Sequence, residues 1–68
     1  MSTLGDNIKK LRKLNNMSQK DFSIKMNTSQ QRVSEWECNK IEPSFYNIIN
    51  ILRIFDITFE ELIDDIEI

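Results

Sequence analysis

The chain has 68 residues, 40% of them apolar and 29% charged, with a net charge of −2, one Cys, one Gly, one Pro and no His. A single Cys excludes an internal disulfide, and without His it supplies neither a structural zinc set nor a Cys/His or Ser/His catalytic pair. Apolar runs of two or three residues are too short to span a membrane, and no signal peptide precedes the first helix, so a cytoplasmic chain with a reduced thiol is expected.

The length allows one domain, 1–68, with a thin core. Thr3 and Asp6 stand at the spacing of a capping box, which predicts a first helix over about 4–15. Leu4, Ile8, Leu11 and Leu14 form its apolar stripe, and Lys9, Lys10 and Lys13 lie off it in solvent. Gly5 in the first turn weakens this helix slightly. Asn15 and Asn16 end it.

Ser18 and Asp21 make a second capping box, with Met17 and Phe22 as its hydrophobic staple. This predicts a helix over 19–26 whose buried face carries Phe22 and Met26. Asn27 ends it, because Asn enters the left-handed conformation more easily than most residues. Thr28 or Ser29 then caps a helix over 30–37 with Val33 and Trp36 inward. So short a connection has the geometry of a helix-turn-helix. With Val33 and Trp36 buried, Gln31, Ser34 and Glu35 face outward, flanked by Gln30 and Arg32. Each Gln amide pairs a donor with an acceptor, as reading N6 and N7 of adenine requires. Ordinary solvated side chains are the alternative at this point.

Residues 38–43 form a loop in which Asn39 takes the left-handed turn position. Pro43 ends it and Ser44 caps a helix over 45–55. Phe45, Ile48, Ile51, Leu52 and Phe55 read as its core stripe, while Ile49 and Ile54 are surplus to one narrow face. Thr58 and Glu61 make a third capping box, with Ile57 and Leu62 as staple, and predict a helix over 59–64. Phe59, Leu62 and Ile63 extend the apolar surface, Ile66 and Ile68 add to it, and 65–68 is a short acidic tail. The acids at Glu60–Glu61 and Asp64–Asp65 read as solvated charge, with no scaffold for a catalytic pocket.

Several short stretches recur in a fixed order: Ile8-Lys9-Lys10-Leu11-Arg12, Met17-Ser18-Gln19, Phe22-Ser23, Asn27-Thr28-Ser29, Val33-Ser34-Glu35-Trp36-Glu37, Asn39-Lys40, Pro43-Ser44 and Ile57-Thr58-Phe59-Glu60-Glu61-Leu62. The set resembles the helix-turn-helix family of phage repressors and Cro proteins, from about Leu4 to Ile63. It departs from that family at Asn27 and Asn39, where Gly is frequent, at Ser23 and Leu52, where Ala is frequent, and at Ile24, where a charge is common. The resemblance implies an all-α, compact five-helix, lambda-repressor-like fold and sequence-specific binding of double-stranded DNA by a homodimeric transcriptional regulator. Gln30, Gln31, Arg32, Ser34 and Glu35 would then face bases, and Gln19, Ser29, Asn39 and Lys40 would position phosphates. It also implies a structural ion pair between Arg12 and Glu37, and a two-fold contact through Ile54, Ile57, Phe59 and Ile63. No cofactor, metal, membrane or small-molecule substrate is expected. A protein partner is the alternative, with the fold acting as an antitoxin or docking module.

The charge distribution agrees with a polyanionic ligand. Residues 1–55 carry nine Lys and Arg against five acids, whereas 56–68 carry six acids and no base. The acidic end is expected to point away from DNA.

Overall fold

The computed structural model describes residues 1–67, and the expectation placed on Ile68 lies outside them. Five helices follow one another: α1 (Leu4–Leu14), α2 (Gln19–Lys25), α3 (Gln30–Glu37), α4 (Phe45–Phe55) and α5 (Phe59–Leu62). No strand occurs among the described residues. Each start is fixed by local chemistry. Thr3, Ser18 and Thr58 accept from the backbone N–H three residues on, and Asp6, Asp21 and Glu61 accept from the cap N–H in return. Ser29 and Ser44 cap α3 and α4 through their hydroxyls alone. Of Thr28 and Ser29, the cap of α3 is therefore Ser29.

The helix ends share one device. Asn16, Asn27, Asn39 and Asp56 all have positive φ, between 53° and 61°. Just after each, the N–H of Met17, Thr28, Lys40 and Ile57 donates to the carbonyl five residues back, on Arg12, Ser23, Glu35 and Leu52. This is the Schellman closure, here made with Asn and Asp where Gly is the usual residue. The short polar side chain tolerates the left-handed backbone at less cost than other L-residues. α2 ends at Lys25, with Met26 as its cap. α5 is a single turn that ends at Leu62, because Ile63 leaves the helix and Asp65 adopts a positive φ.

Ile8, Phe22, Val33, Trp36, Ile51 and Leu62 are fully buried and draw on all five helices. Phe22 of α2 and Phe55 of α4 stack with centroids 5.2 Å apart. Two expected core residues are outside. Leu14 is 68% exposed and Phe45 is 72% exposed. On α1 the inward direction is set by Gly5, Ile8 and Arg12, all buried. Leu14 lies nearly opposite Arg12 at about 100° per residue, so the apolar spacing of its last turn does not face the core. On α4 the buried face begins one turn in, at Ile48, and Phe45 meets Tyr46 edge-on instead. The surplus read at Ile54 is absorbed, since Ile54 packs against the core beside Ile48 and Leu52.

The first half of α1 is tied to two distant parts of the chain. At its start, Asn39 Oδ1 accepts from the Gly5 N–H at 3.0 Å and Asn39 Nδ2 donates to Thr3 Oγ1 at 2.8 Å. Asn7 Nδ2 donates to the carbonyls of Leu62 and Asp64 and holds α5 against α1.

Candidate nucleic-acid interface

α2 and α3 are packed closely at Ser23, which is buried and donates its hydroxyl to the Lys20 carbonyl at 2.7 Å. The self-satisfied hydroxyl lets a polar residue stand where small size is needed. Val33 and Trp36 anchor α3 in the core. Gln30, Gln31 and Arg32 are then exposed on the first turn, with Ser34 and Glu35 half-buried behind them. Arg32 Nε lies 3.8 Å from Glu35 Oε1, so these two opposite charges offset each other on one face. Neither Gln30 nor Gln31 spends its amide on another group among the described residues.

At the other end of α3 lies a buried ionic network. Arg12 Nε donates to Glu37 Oε2 at 2.6 Å and Arg12 Nη2 to Glu37 Oε1 at 3.0 Å. Arg12 Nη1 donates to the Met17 carbonyl at 2.8 Å. The side chains are 8% and 2% exposed. The bidentate fork and the extra carbonyl satisfy the guanidinium, as burial of a charge demands. Gln19, the first residue of α2, completes the set by donating Nε2 to Glu37 Oε1 at 3.1 Å. One carboxylate thus fixes the end of α3 to α1 and to the start of α2. At that start the Asp21 carboxyl is held below its ordinary pKa, chiefly by the Ser18 backbone N–H, then by the Ser18 hydroxyl, with smaller help from Lys20 and Lys25 against slight desolvation.

Two short helices packed together across a brief turn, the second with an unobstructed polar first turn, form a helix-turn-helix. A helix-turn-helix family model matches residues 8–62. The chain belongs to the XRE-type helix-turn-helix family, that of phage repressors and Cro proteins. No curated protein and no solved structure matches it. The XRE-type family is one of DNA-binding regulators, so DNA is the ligand of this domain. No helix of the described residues is long and apolar enough to cross a membrane.

The site residues read from the sequence divide into free and committed groups in the XRE-type domain. Gln30, Gln31 and Lys40 are exposed and free among the described residues, and Ser29 is exposed with its hydroxyl accepting from the Arg32 N–H. Gln19 is half-buried and bound to Glu37. Asn39, expected at phosphates, is exposed and has its amide oxygen and nitrogen engaged at the start of α1. Its side chain shapes the loop that carries Lys40. Of the four residues expected at a two-fold contact, Ile54, Ile57 and Ile63 are half-buried, the first two against the core, and only Phe59 is markedly exposed, at 47%.

Gly5 was legible only as a slightly unfavourable helix residue. The structure gives its reason. A Cβ at this position would lie 2.5 Å from the Trp36 carbonyl oxygen and 2.7 Å from that of Glu37. The start of α1, with its free N–H groups, therefore abuts the carbonyl end of α3, an arrangement that also suits the two helix dipoles. A glycine placed where helix propensity disfavours it was the available signal.

Proposed function

We propose that this domain is a sequence-specific, repressor-like regulator that binds a near-palindromic operator as a homodimer, with half-sites about 10 bp apart. The observation that carries the reading is the first turn of α3. Gln30 and Gln31 are exposed there, with amides unspent among the described residues, while Gln19, Asn39, Arg12 and Glu37, gathered at the other end of α3, are occupied by one another or by the fold. Gln31 and Gln30 read adenine edges in the major groove. Arg32 contacts guanine or phosphate, and Glu35 and Ser34 border the read bases. Ser29 and Lys40 contact phosphates directly, and Gln19 does so from the start of α2 with the second N–H of Nε2, the first being held by Glu37. The acidic segment that follows α4 lies outside this set, consistent with a ligand that repels it.

Selection of bound duplexes from a random library, at physiological salt, tests the reading. Recovery of a palindrome with half-sites one turn apart is the expected outcome. A pool without a motif, bound only at low salt, would reduce the domain to nonspecific attraction.

A second reading, a protein-docking or antitoxin role, rests on apolar side chains left on the surface. Phe45 and Tyr46, 72% and 77% exposed, form an edge-on aromatic pair at the start of α4. Binding to a protein with no operator recovered would favour it.

A further inference from the structure

Leu14, expected in the core and found outside it, belongs to a groove between α1 and α5 with a floor of Leu11, Leu14 and Ile57. The two walls of this groove have opposite charge. Lys10 stands on the α1 side, continued by Lys13 in an adjoining depression that shares Lys10 and Leu14. Glu60, Glu61 and Asp64 stand on the α5 side. The Glu61 carboxylate is taken by the Thr58 cap. Lys10, Lys13, Glu60 and Asp64 form no ion pair within the chain, whose ion pairs are Met1–Asp65, Arg12–Glu37 and Arg32–Glu35 among the described residues. Opposite charges thus line one apolar trough without meeting.

We propose that the occupant of this groove is the same groove of a second copy of the chain. The inference rests on the homodimer reading and gives that dimer its surface. A two-fold interface is self-complementary, and its axis lies in the plane of contact. If the axis ran across the trough, base would face base and acid would face acid. With the axis along the trough, the Lys10 and Lys13 wall of each copy meets the Glu60 and Asp64 wall of the other, on both sides of a shared floor of Leu11, Leu14 and Ile57. The charges therefore select one of the two arrangements. Contact through α5 alone is disfavoured by the same count, because residues 56–68 hold six acids and no base. Leu14 then has a use: its apolar surface is covered only when a partner is present.

The test is sedimentation equilibrium of the full chain without DNA, so its result is independent of operator recognition. Two charge-reversed chains are compared, Lys10→Glu/Lys13→Glu and Glu60→Lys/Asp64→Lys. Glu61 is left intact to preserve the α5 cap. Each alone brings like charge to like charge at both walls and weakens self-association by about tenfold or more. An equimolar mixture of the two restores opposite charge at both walls, so it associates nearly as well as the unaltered chain. A contact within one chain cannot produce that recovery. Leu14→Asp, at a position 68% exposed in the single chain, gives a monomer with the helical content of the unaltered chain, melting where the unaltered chain melts once diluted below its own dissociation constant. The proposal is overturned if the unaltered chain is monomeric at millimolar concentration, or if the mixture fails to recover. It is also overturned if Phe59→Glu abolishes the dimer while the reversed chains keep it.

Discussion

Asn39 closes α3 and opens α1 with one side chain: its Oδ1 accepts from the Gly5 N–H and its Nδ2 donates to the Thr3 hydroxyl that caps α1. The backbone of Asn39 meanwhile sits at φ 61°, the left-handed position of the α3 end. Gly5 makes the approach possible, since nothing larger clears the Trp36 and Glu37 carbonyls. Gly5→Ala should therefore destabilise the domain by about 1–3 kcal/mol, although Ala is the better helix former. Urea unfolding measures it. A gain in stability would mean that the two helix ends separate at little cost.

The Arg12–Glu37 pair should behave as a buried unit. Arg12→Met alone or Glu37→Leu alone leaves a buried charge without its partner and should cost about 3–5 kcal/mol. The double variant Arg12→Met/Glu37→Leu should cost much less than the two single losses together, because no buried charge is left over. Additive losses in a double-mutant cycle would show that each side chain acts through separate contacts. Glu37→Gln removes the charged acceptor of Gln19 and should loosen the start of α2, readable as faster hydrogen exchange at Asp21 and Phe22, whose N–H groups donate to Ser18.

The Asp21 carboxyl contributes to stability in a defined pH direction. Its pKa in the folded chain lies below the ordinary carboxylate value of 3.8. The capping contribution is fully present above that value and is lost as pH falls through the lower folded value, because protonation ends acceptance from the Ser18 N–H. Acid unfolding of Asp21→Asn should show a shallower fall in stability below that value than the unaltered chain. An identical slope would assign the acid sensitivity to other carboxyls.

What the sequence made legible follows the range of each interaction. The three capping boxes and the left-handed asparagines act within four or five residues, so their spacing was enough to place the helix starts and most ends. Leu14 and Phe45 show the limit of periodicity. A stripe at helical spacing spans a wide arc and does not say how far along the helix the core extends: Leu14 stands at the edge of that arc, turned away from Arg12, and Phe45 stands one turn before the buried face of α4 begins. The tie from Asn39 to Gly5 spans 34 residues and leaves no local trace beyond one misplaced glycine. Arg12 and Glu37 were paired only through the family pattern, since nothing in their own neighbourhoods links positions 25 apart. Gln30 and Gln31 were placed on the outer face by the burial of Val33 and Trp36. Their freedom from intramolecular bonds depends on what the rest of the fold places near them, which no local spacing encodes.

Base reading and phosphate contact should separate by salt and by sequence. Gln31→Ala should cost about 1–3 kcal/mol on the selected operator and relax choice at one base pair, with little effect on unrelated DNA. Lys40→Ala should weaken every sequence alike and lower the slope of log affinity against log salt by about one contact. Gln31 is uncharged, so its variant should keep the full slope. Titration of operator and scrambled duplexes at several salt concentrations reads all of these quantities together. A uniform loss for Gln31→Ala would remove it from the base-reading face and leave Gln30 as the residue to alter next. An unchanged slope for Lys40→Ala would mean that the loop after α3 stands clear of the backbone, and that the attraction comes from Lys20 and Lys25 on the neighbouring helix.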